Sequence, residues 1–519
     1  MVNMEMHEEN IKFLKHFGIS DISEVSGKRV ALVLHDKVQH SYNSQHMFIL
    51  SANLLSRLFL NIDFILSSGI NAPMQINGNQ QKLDDVVLSY AKKVFPLGNF
   101  RVLDGVADFS KYDGVLIVGY GAGYGNIIFV NSNGWNIYIN KAESEDRYNP
   151  IGACAAACFG AAELFKIVMK PVGHRLCGIM SFSLLNYSMD LPADNPNIPE
   201  LVDIGDIDLI GAGAIGSAFI YALNCLDNVR GDLNIVDADF YTSGNLNRYI
   251  IADETSVGML KTKNVKQYLQ QHGDLMVHEH PVVFDIYVKS KTYMETVITA
   301  VDKRITRYVI QGALPRLIFD AATTKSFIDL TRIEFGKGGA CLGCLYKPDR
   351  NDKLIYDYIS KYTGIEIGRV VYLYNSNEGI SQIDIDIASQ KLGKDLSSYI
   401  GQPINTLYAH EYCGSAILGE NDDEKEPVLA PVSFISALAG VLVLSEIIKN
   451  KYFPQYKINN HFHINTFGKP NPMQHMPINA NAGCSYCGDT DIIEAYNEKW
   501  SAFLKTEEER VVNVAKRLF

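Results

Sequence analysis

Three glycines are spaced so that the backbone can approach a phosphate group. Gly211, Gly213 and Gly216 form the pattern G-x-G-x-x-G in LIGAGAIG, directly after an apolar run and before the helical run SAFIYALNCL. Gly211 permits a tight turn, Gly213 lets the backbone come near a phosphate, and Gly216 allows close helix packing, with the helix N-terminus facing the anion. Asp237 ends the next apolar run, about twenty residues on, where a carboxylate can accept ribose hydroxyls. This pattern predicts a nucleotide site, and by itself it fits a dinucleotide-dependent oxidoreductase equally well.

Polar residues downstream of this site favour nucleotidyl transfer over hydride transfer. Asn245, Arg248 and Lys261 lie in NLNRYIIADETSVGMLK, and the two cations stand where a triphosphate tail would lie. Hydride transfer has no use for two such cations. Asp302 ends a later apolar run, at the edge where open α/β sheets bind ligands, and its carboxylate could hold Mg²⁺. These residues predict a nucleoside triphosphate with Mg²⁺ as the bound species.

Two Cys-x-x-Cys pairs supply four thiolates, the number that a tetrahedral structural Zn²⁺ requires. The first pair is Cys341 and Cys344 in CLGC, and the second is Cys484 and Cys487 in CSYC. A redox role is the alternative, but two pairs without a thioredoxin-like context argue against it. We therefore predict a closed structural zinc site in which no coordination position stays open.

The elements that must position these residues repeat along the chain. Each half opens with an apolar strand and closes with a helix rich in small residues. The matching segments are residues 29–34 and 207–213, 83–94 and 261–272, 112–120 and 296–302, and 149–166 and 430–449. Strands that alternate with helices in this way predict two doubly wound α/β domains in tandem. The first copy has no glycine after its opening strand, in HDKVQHSYNSQ, so we expect it to keep the fold and to be inactive toward nucleotide.

The same elements predict the domain boundaries. Residues 1–170 form the inactive domain, 171–200 a linker, 201–345 and 428–488 the active domain, 346–427 an insertion, and 489–519 a C-terminal helical segment. The insertion is mixed and polar in composition, and insertions of this kind often carry added function. We expect the last segment to be a solvated surface helix, with packing against another domain or a partner as the alternative.

Composition and charge limit the partners. The chain has 519 residues, of which 47% are hydrophobic and 20% charged, as in ordinary globular proteins. Its net charge of −11 repels phosphate backbones and anionic lipid surfaces, so we expect no nucleic-acid partner. We expect no membrane partner, because the uncharged run Pro427 to Ser445 reads as a buried helix and the N-terminus shows no secretory signal. Nine cysteines are too sparse for a disulfide scaffold, and the paired ones suggest a reducing, cytoplasmic setting.

Four ordered motifs, GAGAIG, DADFYTSGNLNR, VGMLK and VDKRITR, resemble the ThiF/MoeB and ubiquitin-activating-enzyme superfamily over roughly Asp203 to Gly488. The resemblance implies Rossmann-like adenylation domains in which ATP and Mg²⁺ serve to activate the C-terminal glycine of a ubiquitin-like protein. It implies that Asp237 binds ribose, that Arg248 and Lys261 hold phosphates with support from Asn245, and that Asp302 binds Mg²⁺ and helps pyrophosphate depart. The family also uses paired cysteines to tie its closing segment to the crossover region, which supports the zinc prediction.

The sequence departs from the family pattern at two points. Tyr249 stands where the family usually has glutamine, which affects the expected phosphate contacts there. The family also donates an arginine to the site from a partner or from the N-terminal segment of the pseudo-domain. Arg57 and Arg175 are the candidates for it, although neither lies in a recognisable motif.

Cys413 is the candidate nucleophile. It lies in HEYCGSAILGENDDEKEP, inside the insertion, and thioester-forming members of the family likewise have their cysteine between the first zinc pair and the closing helix. A thiolate there could attack the acyl-adenylate and divide one hard transfer into two easier ones. The alternative is a free surface or packing cysteine.

The resemblance favours an enzyme that activates a ubiquitin-like protein by adenylation and then by thioester formation. Tandem inactive and active domains resemble the two-domain activating enzymes, including those of bacterial ubiquitin-like conjugation operons linked to phage defence. The implied partners are a ubiquitin-like protein and a conjugating enzyme, and the implied assembly is a monomer or a homodimer. Two alternatives stay open. One is adenylation of a ribosomal peptide or a sulfur-carrier protein without a thioester step, and the other is a scaffold that binds nucleotide without turnover.

Overall fold

The computed structural model has a mixed α/β fold built around two large sheets. It describes residues 14–15, 26–76, 79–105, 108–347, 355–376, 378–408, 431–470, 475 and 477–518. The α/β class agrees with the sequence. The division into an inactive and an active adenylation domain stays a prediction.

The first half is built on a seven-stranded sheet. Its strands, with a separate β3–β4 hairpin, are β1 (Arg29–Leu34), β2 (Asn61–Ile65), β3 (Asn71–Ile76), β4 (Asn79–Lys82), β5 (Asn99–Leu103), β6 (Gly114–Val118), β7 (Ile127–Asn133), β8 (Asn136–Ile139) and β9 (Met180–Ser183). Its helices are α1 (Tyr42–Ser56), α2 (Leu83–Val94) and α3 (Pro150–Met169). The strand order is β5-β2-β1-β6-β7-β8-β9, parallel from β5 to β7 and antiparallel from β7 to β9.

The second half has a sheet of the same design. Its strands are β10 (Val202–Ile210), β11 (Val229–Val236), β12 (Leu275–His280), β13 (Thr296–Thr299), β14 (Leu317–Thr324), β15 (Phe327–Glu334) and β16 (His461–Asn465). Helices α4 (Ala214–Asn224), α5 (Lys261–Tyr268), α6 (Phe284–Ser290) and α7 (Arg304–Gly312) connect them. The order β12-β11-β10-β13-β14-β15-β16 is again parallel over five strands and antiparallel over the last two pairs. Both sheets therefore place their strands, counted along each half, in the order 3-2-1-4-5-6-7.

The insertion is helical where the structure describes it. A short helix, α8 (Leu342–Leu345), precedes it, and it contains α9 (Ile355–Thr363), α10 (Ile367–Ser376), α11 (Gln382–Leu392) and α12 (Ile404–Tyr408). These helices enclose a small apolar core of their own that includes Ile359, Val370 and Ile385. Cys413 lies in residues 409–430, outside the described residues. The chain then forms α13 (Ser433–Tyr452), returns to the sheet as β16, and ends in α14 (Thr490–Leu518).

Small residues in the closing helices α3 and α13 permit very close packing. A Cβ added at Gly152 in α3 would lie 2.1 Å from the carbonyl oxygen of Gly134, and one at Gly440 in α13 would lie 2.4 Å from the backbone nitrogen of Phe219. Both helices are long and apolar enough to cross a membrane, and 94% of each apolar window is buried inside the structure. The helical part of the run that sequence analysis interprets as a buried helix, residues 433–445, is therefore buried in the core, and residues 427–430 lie outside the described residues.

Each closing helix carries a buried ion pair at the corresponding place. The pairs are Glu163 with Lys166 in α3 and Glu446 with Lys449 in α13. Each glutamate also accepts a backbone N–H from the segment after its helix, at 3.0 Å in both cases, and each lysine donates to a backbone carbonyl. Buried charges need such partners. The shared arrangement supports the interpretation of the two halves as copies.

The two halves share one continuous apolar core. Phe165 of α3 packs against Phe434 of α13, with ring centroids 5.5 Å apart. The sulfur of Cys154 in α3 lies 3.9 Å from that of Cys225 at the end of α4. The halves are thus packed together rather than joined only by the chain.

Two expectations from the sequence differ from the structure. Residues 171–200, expected to be a linker, include β9, which forms the edge of the first sheet. This strand is only four residues long, MSFS, too short to show a periodic pattern. In the C-terminal helix, Trp500 is buried and donates its indole N–H to the carbonyl of Leu314 at 3.1 Å. The expectation of a solvated surface helix is therefore wrong for the first half of α14, which packs against the second domain.

Candidate active site

The glycine turn between β10 and α4 has the geometry that its sequence predicts. Gly211 has a φ of +96°, and a Cβ there would lie 2.6 Å from the carbonyl oxygen of Ala300. A Cβ at Gly216 would lie 2.2 Å from the carbonyl oxygen of Gly211, so the helix approaches the turn closely. Gly213 caps the N-terminus of α4, and the nearest atom to a Cβ added there is the Tyr249 hydroxyl at 3.4 Å. The backbone at Gly213 therefore faces the loop that carries the predicted cations.

Asp237 follows β11 and lies beside the glycine turn. One carboxylate oxygen accepts a hydrogen bond from the backbone N–H of Ala212 at 2.7 Å, and the other from that of Asp239 at 2.8 Å. Burial raises the pKa of this carboxyl to about 6, although Lys261, whose Nζ lies 3.9 Å away, opposes the shift. The bond to Ala212 holds the carboxylate against the turn, where the ribose of a bound nucleotide would reach it.

Lys261 begins α5 and is buried beside two carboxylates. Its Nζ donates to Asp239 at 2.7 Å. Burial by itself lowers the pKa of this lysine, but Asp237, Tyr249 and Asp239 together raise it well above the usual value. Lys261 therefore carries a positive charge at neutral pH.

Tyr249 lies between the two predicted phosphate ligands. The guanidinium carbon of Arg248 is 5.3 Å from the centre of the Tyr249 ring, and the Nζ of Lys261 is 5.5 Å from it. Both distances are those of cation–π contacts. Arg248 also donates to the side-chain oxygen of Asn247 at 2.8 Å. The structure thus brings both predicted cations to one ring, whose hydroxyl faces Gly213.

Asn245 shapes the loop that carries Arg248. Its side-chain oxygen accepts the backbone N–H of Thr242 at 3.0 Å, which completes a capping box on the short 3-10 helix Ser243–Asn247. This contact gives Asn245 a structural role in the loop. Its direct support of phosphates stays a prediction.

Asp302 follows β13 and is exposed, on the same edge of the sheet as the glycine turn. Arg307, buried in α7, holds the turn that carries it. The Nη2 of Arg307 donates to the carbonyl of Val301 at 2.6 Å and to that of Ala321 at 3.0 Å, and its Nε lies 3.3 Å from a carboxylate oxygen of Asp320. An exposed carboxylate on a fixed turn suits Mg²⁺, which keeps several of its waters when it binds.

The four predicted zinc ligands form one cluster. The sulfurs of Cys341 and Cys344 are 3.9 Å apart, those of Cys341 and Cys484 are 3.6 Å apart, and those of Cys344 and Cys487 are 3.3 Å apart. A tetrahedral ion with Zn–S bonds of about 2.3 Å requires sulfurs about 3.8 Å apart. The cluster is therefore compatible with the zinc prediction.

Tyr346 links this cluster to the Asp302 turn. It comes directly after α8, its hydroxyl donates to a carboxylate oxygen of Asp320 at 2.7 Å, and its ring lies 4.7 Å from the guanidinium carbon of Arg307. Cys344, which is in α8, thus lies two residues from a side chain that supports Arg307. The cysteine cluster is therefore connected to the Asp302 turn through Tyr346 and Arg307.

Three residues of the site were not assigned from the sequence: Asp239, Arg307 and Tyr346. The first two lie inside quoted motifs, DADFYTSGNLNR and VDKRITR, so the motif itself was the available signal. Tyr346 follows the first cysteine pair by two residues, and no sequence pattern indicates its contact with Asp320.

Arg57 contacts the nucleotide loop from the other half of the chain. It lies at the end of α1, is only 2% exposed, and donates to the backbone carbonyls of Leu246 and Ile250 and, at 2.9 Å, of Ala252. Its Nε donates to the side-chain oxygen of Asn53 at 2.8 Å. Burial lowers its pKa to about 9. The structure therefore places Arg57 as a support of the loop around Arg248, whereas Arg175, the other candidate, is exposed in the segment after α3.

We expect Arg57→Ala to weaken ATP binding through the loop. The change leaves buried carbonyls without their donor, which costs about 1–3 kcal/mol per group, so the KM for ATP rises about tenfold or more and Tm falls. The exposed Arg175→Ala is the matched control and leaves both quantities unchanged. Steady-state pyrophosphate exchange and thermal melts measure them. A fall in kcat for Arg175→Ala with KM unchanged would instead identify Arg175 as the arginine that reaches the phosphates.

Comparison with known proteins gives one family and several relatives. The sequence profile of the ThiF family matches residues 203–486. The uncharacterized protein y4jF of Sinorhizobium fredii is 29% identical over 387 residues, which cover 72% of this chain and 74% of that protein. The adenylyltransferase and sulfurtransferase UBA4 of Candida glabrata is 27% identical over 212 residues, 38% of this chain and 47% of that protein. UBA4 of Saccharomyces cerevisiae is 30% identical over 149 residues, 27% of this chain and 32% of that protein. The chain thus matches less than half the length of these UBA4 relatives.

Proposed function

Because the chain belongs to the ThiF family, we propose that it is an ATP-dependent adenylyltransferase that activates the C-terminal carboxylate of a ubiquitin-like or sulfur-carrier protein. The observation that carries this proposal is the placement of Asp237, Arg248 and Lys261 around one glycine turn, with Asp302 on the same edge of the sheet. The printed names of the UBA4 relatives, adenylyltransferase and sulfurtransferase, support the same chemistry.

ATP binds across the carboxyl edge of the second sheet. Its ribose hydroxyls donate to Asp237, and its phosphates lie beside Gly213 and the N-terminus of α4, where backbone N–H groups face an anion. Arg248 and Lys261 neutralise the phosphate charge from the adjoining loop. Because both cations are already held by protein contacts, little reorganisation is needed when charge develops during the reaction.

The reaction joins the carrier's carboxylate to the adenylate. A carboxylate oxygen of the C-terminal glycine attacks the α-phosphorus, the bond from that phosphorus to the α,β-bridging oxygen breaks, and the acyl-adenylate and pyrophosphate form. Arg248 and Lys261 hold the negative charge that collects on pyrophosphate as it leaves. Positioning and charge supply most of the catalysis in reactions of this type.

Two metal ions belong to the proposal. The exposed carboxylate of Asp302 would hold Mg²⁺, which would supply positive charge against the phosphates. Zn²⁺, held by Cys341, Cys344, Cys484 and Cys487, has a structural role, because four thiolates leave no coordination position open.

The finer steps of the proposal concern Cys413 and the partners. The thiolate of Cys413 attacks the acyl carbonyl, the bond to the AMP oxygen breaks, and a thioester and AMP form, after which a conjugating enzyme accepts the acyl group. Its position in the insertion supports this role.

The contact of Arg57 with the loop of the second half supports action as a monomer, since one chain supplies both the loop and the arginine that holds it. We place the enzyme in the reducing cytoplasm of a bacterial ubiquitin-like conjugation pathway, with a role in phage defence, and the bacterial relative y4jF is consistent with a bacterial setting.

ATP–pyrophosphate exchange tests adenylation. We expect exchange by the full chain only with a carrier protein whose C-terminal glycine is intact, and no exchange with the same carrier shortened by two residues. On non-reducing gels, we expect a reductant-sensitive adduct with the wild type and none with Cys413→Ala, which retains exchange.

The outcomes separate the alternatives. Exchange without an adduct in the wild type would remove the thioester step and leave adenylation of a peptide or sulfur carrier. Tight ATP binding without exchange for any carrier would contradict the adenylyltransferase proposal and favour a nucleotide-binding scaffold.

A further inference from the structure

A second group of metal-ligating side chains, sharing no residue with the four cysteines, lies on the edge of the second sheet. His461 and His463 are on β16, and Asp329 is on the neighbouring strand β15. The strand register pairs Asp329 with His463 and Thr331 with His461. Alternate residues of a strand share a face, and so do directly paired residues. Both imidazoles and the carboxylate therefore lie on one face, with one ligand atom from each within 4.8 Å of the others.

The distances within this group suit a single ion. The Nδ1 of His463 lies 2.7 Å from a carboxylate oxygen of Asp329, and the Nε2 of His461 lies 3.5 Å from the same oxygen. Ligand atoms bound to one zinc ion at about 2.0–2.1 Å are about 3.4 Å apart in tetrahedral geometry. Small rotations of the His463 ring would bring all three atoms to that separation.

Neighbouring side chains already orient both imidazoles. The hydroxyl oxygen of Thr331 lies 3.2 Å from the Nδ1 of His461, so the other ring nitrogen is the one that faces Asp329. The ring of Phe327 stacks on that of His463, with centroids 4.9 Å apart. Contacts of this kind, which fix the ring and leave one nitrogen for the ion, are typical of histidine ligands in metal sites.

The group is open to solvent on one side. The side chains of His463, Asp329 and His461 are 42%, 33% and 12% exposed. An ion can therefore enter, and two histidines with one carboxylate leave at least one coordination position for water or for a ligand from a partner. This distinguishes the group from the closed cysteine cluster.

The group lies toward the carboxyl edge of the sheet. Asp329 is paired with Ala322 of β14. Ala322 is two residues closer to the C-terminal end of β14 than Asp320, the residue that contacts Arg307. The strands β13, β14, β15 and β16 are consecutive neighbours, so three interstrand spacings, about 14 Å, separate β16 from the strand that precedes Asp302. The group and the proposed ATP site thus share one edge of the sheet without sharing a ligand.

We propose that Asp329, His461 and His463 form a binding site for one divalent transition-metal ion with an open coordination position. Neutral imidazole nitrogens together with one carboxylate oxygen are donors that Zn²⁺, Co²⁺ and Ni²⁺ accept. When the ion binds, the neutral imidazole of His463 carries its proton on Nε2, so that its Nδ1 can coordinate beside Asp329. The site does not depend on the proposed adenylation, and its test needs no activity measurement.

Zinc stoichiometry tests the site in the full chain. After equilibrium dialysis against low micromolar Zn²⁺ and metal analysis, we expect two ions per wild-type chain and one per chain of His463→Ala. Asp329→Asn keeps the shape but loses the charge, and we expect it to weaken binding of the second ion about 10- to 100-fold. His278→Gln is the matched control, because His278 is on the opposite edge strand β12 and its Nε2 lies 3.2 Å from Asp232 of β11. We expect this variant to keep two ions.

Cobalt spectra assign each ion. Co²⁺ bound by four thiolates gives intense sulfur-to-metal charge-transfer absorption, whereas nitrogen and oxygen ligands give only weak visible bands. We expect a second equivalent of Co²⁺ to add visible bands without charge transfer in the wild type, and not in His463→Ala. Retained cysteine-site absorption in that variant shows that it is folded. A wild-type chain that binds one ion, with sulfur-to-metal charge transfer, or a second ion that survives both His463→Ala and Asp329→Asn, would overturn the proposal.

Discussion

Replacing Arg248 by alanine lowers the rate of ATP–pyrophosphate exchange about 10²- to 10³-fold, an effect of the size seen when one fixed donor to a developing negative charge is removed. Arg248 is one of two cations that contact the Tyr249 ring beside Gly213. Lys261 alone then holds the departing pyrophosphate. We expect the loss mainly in kcat, because the interaction strengthens as pyrophosphate separates from the α-phosphorus.

The neighbouring variants make this prediction specific. Arg248→Lys keeps the charge but not the planar fork of donors, so we expect it to recover only part of the lost rate. Arg230→Ala is the control, because Arg230 is on β11 of the same sheet. Its side chain is more than half exposed and pairs with Asp203 at 2.9 Å, and surface ion pairs of this kind contribute little to stability. Exchange kinetics at saturating ATP, with Tm recorded for each variant, measure the effect. Wild-type exchange by a folded Arg248→Ala protein would show that the cluster at Tyr249 does not hold phosphates.

Replacing Cys487 by serine removes the predicted zinc ion and causes the largest loss of stability that we expect in this chain. The sulfur of Cys487 lies 3.3 Å from that of Cys344, and the second cysteine pair lies 143 residues after the first along the chain. Structural zinc binding contributes on the order of 10 kcal/mol to folding in small zinc domains. In this larger chain we expect a loss of several kcal/mol, together with loss of the ion.

We expect the loss of the zinc ion to disturb the nucleotide site as well. Tyr346 and Arg307 connect the cluster to the turn of Asp302, so we expect Cys487→Ser to reduce exchange as well as Tm. Cys158→Ala is the control, because this buried thiol packs as a small apolar group, and burial alone raises its pKa. Its cost is about 1 kcal/mol, and its zinc content is unchanged. Metal analysis and thermal melts decide the question, and a Cys487→Ser protein with normal zinc content and Tm would refute the structural role.

Much of the fold follows from local sequence patterns. The periodicity of residues 83–94 predicts a helix with the bounds that the structure gives, Leu83–Val94, and the two small-residue segments form α3 and α13. The glycine turn is predictable because its constraints are local. Gly211 needs a positive φ, and Gly216 has a backbone oxygen where a Cβ would stand. The four cysteines follow from chemistry, since two pairs of the same spacing supply one tetrahedral set.

Other features depend on contacts between distant segments, and a linear pattern does not reveal them. Arg57 donates hydrogen bonds to the backbone carbonyls of a loop that is 189 residues away in sequence. From the sequence, Arg57 was only a candidate for the arginine that contacts the phosphates. His463 and Asp329, which are 134 residues apart, come together only through the register of β15 and β16. The sequence by itself determined the class of fold, the glycine turn and which four cysteines would cluster, because local conformation and the chemistry of paired cysteines specify them. Tertiary structure alone decided which buried arginine supports the loop, how Tyr346 links the cysteines to Asp302, and which histidines share a face, because strand register and packing set these distances.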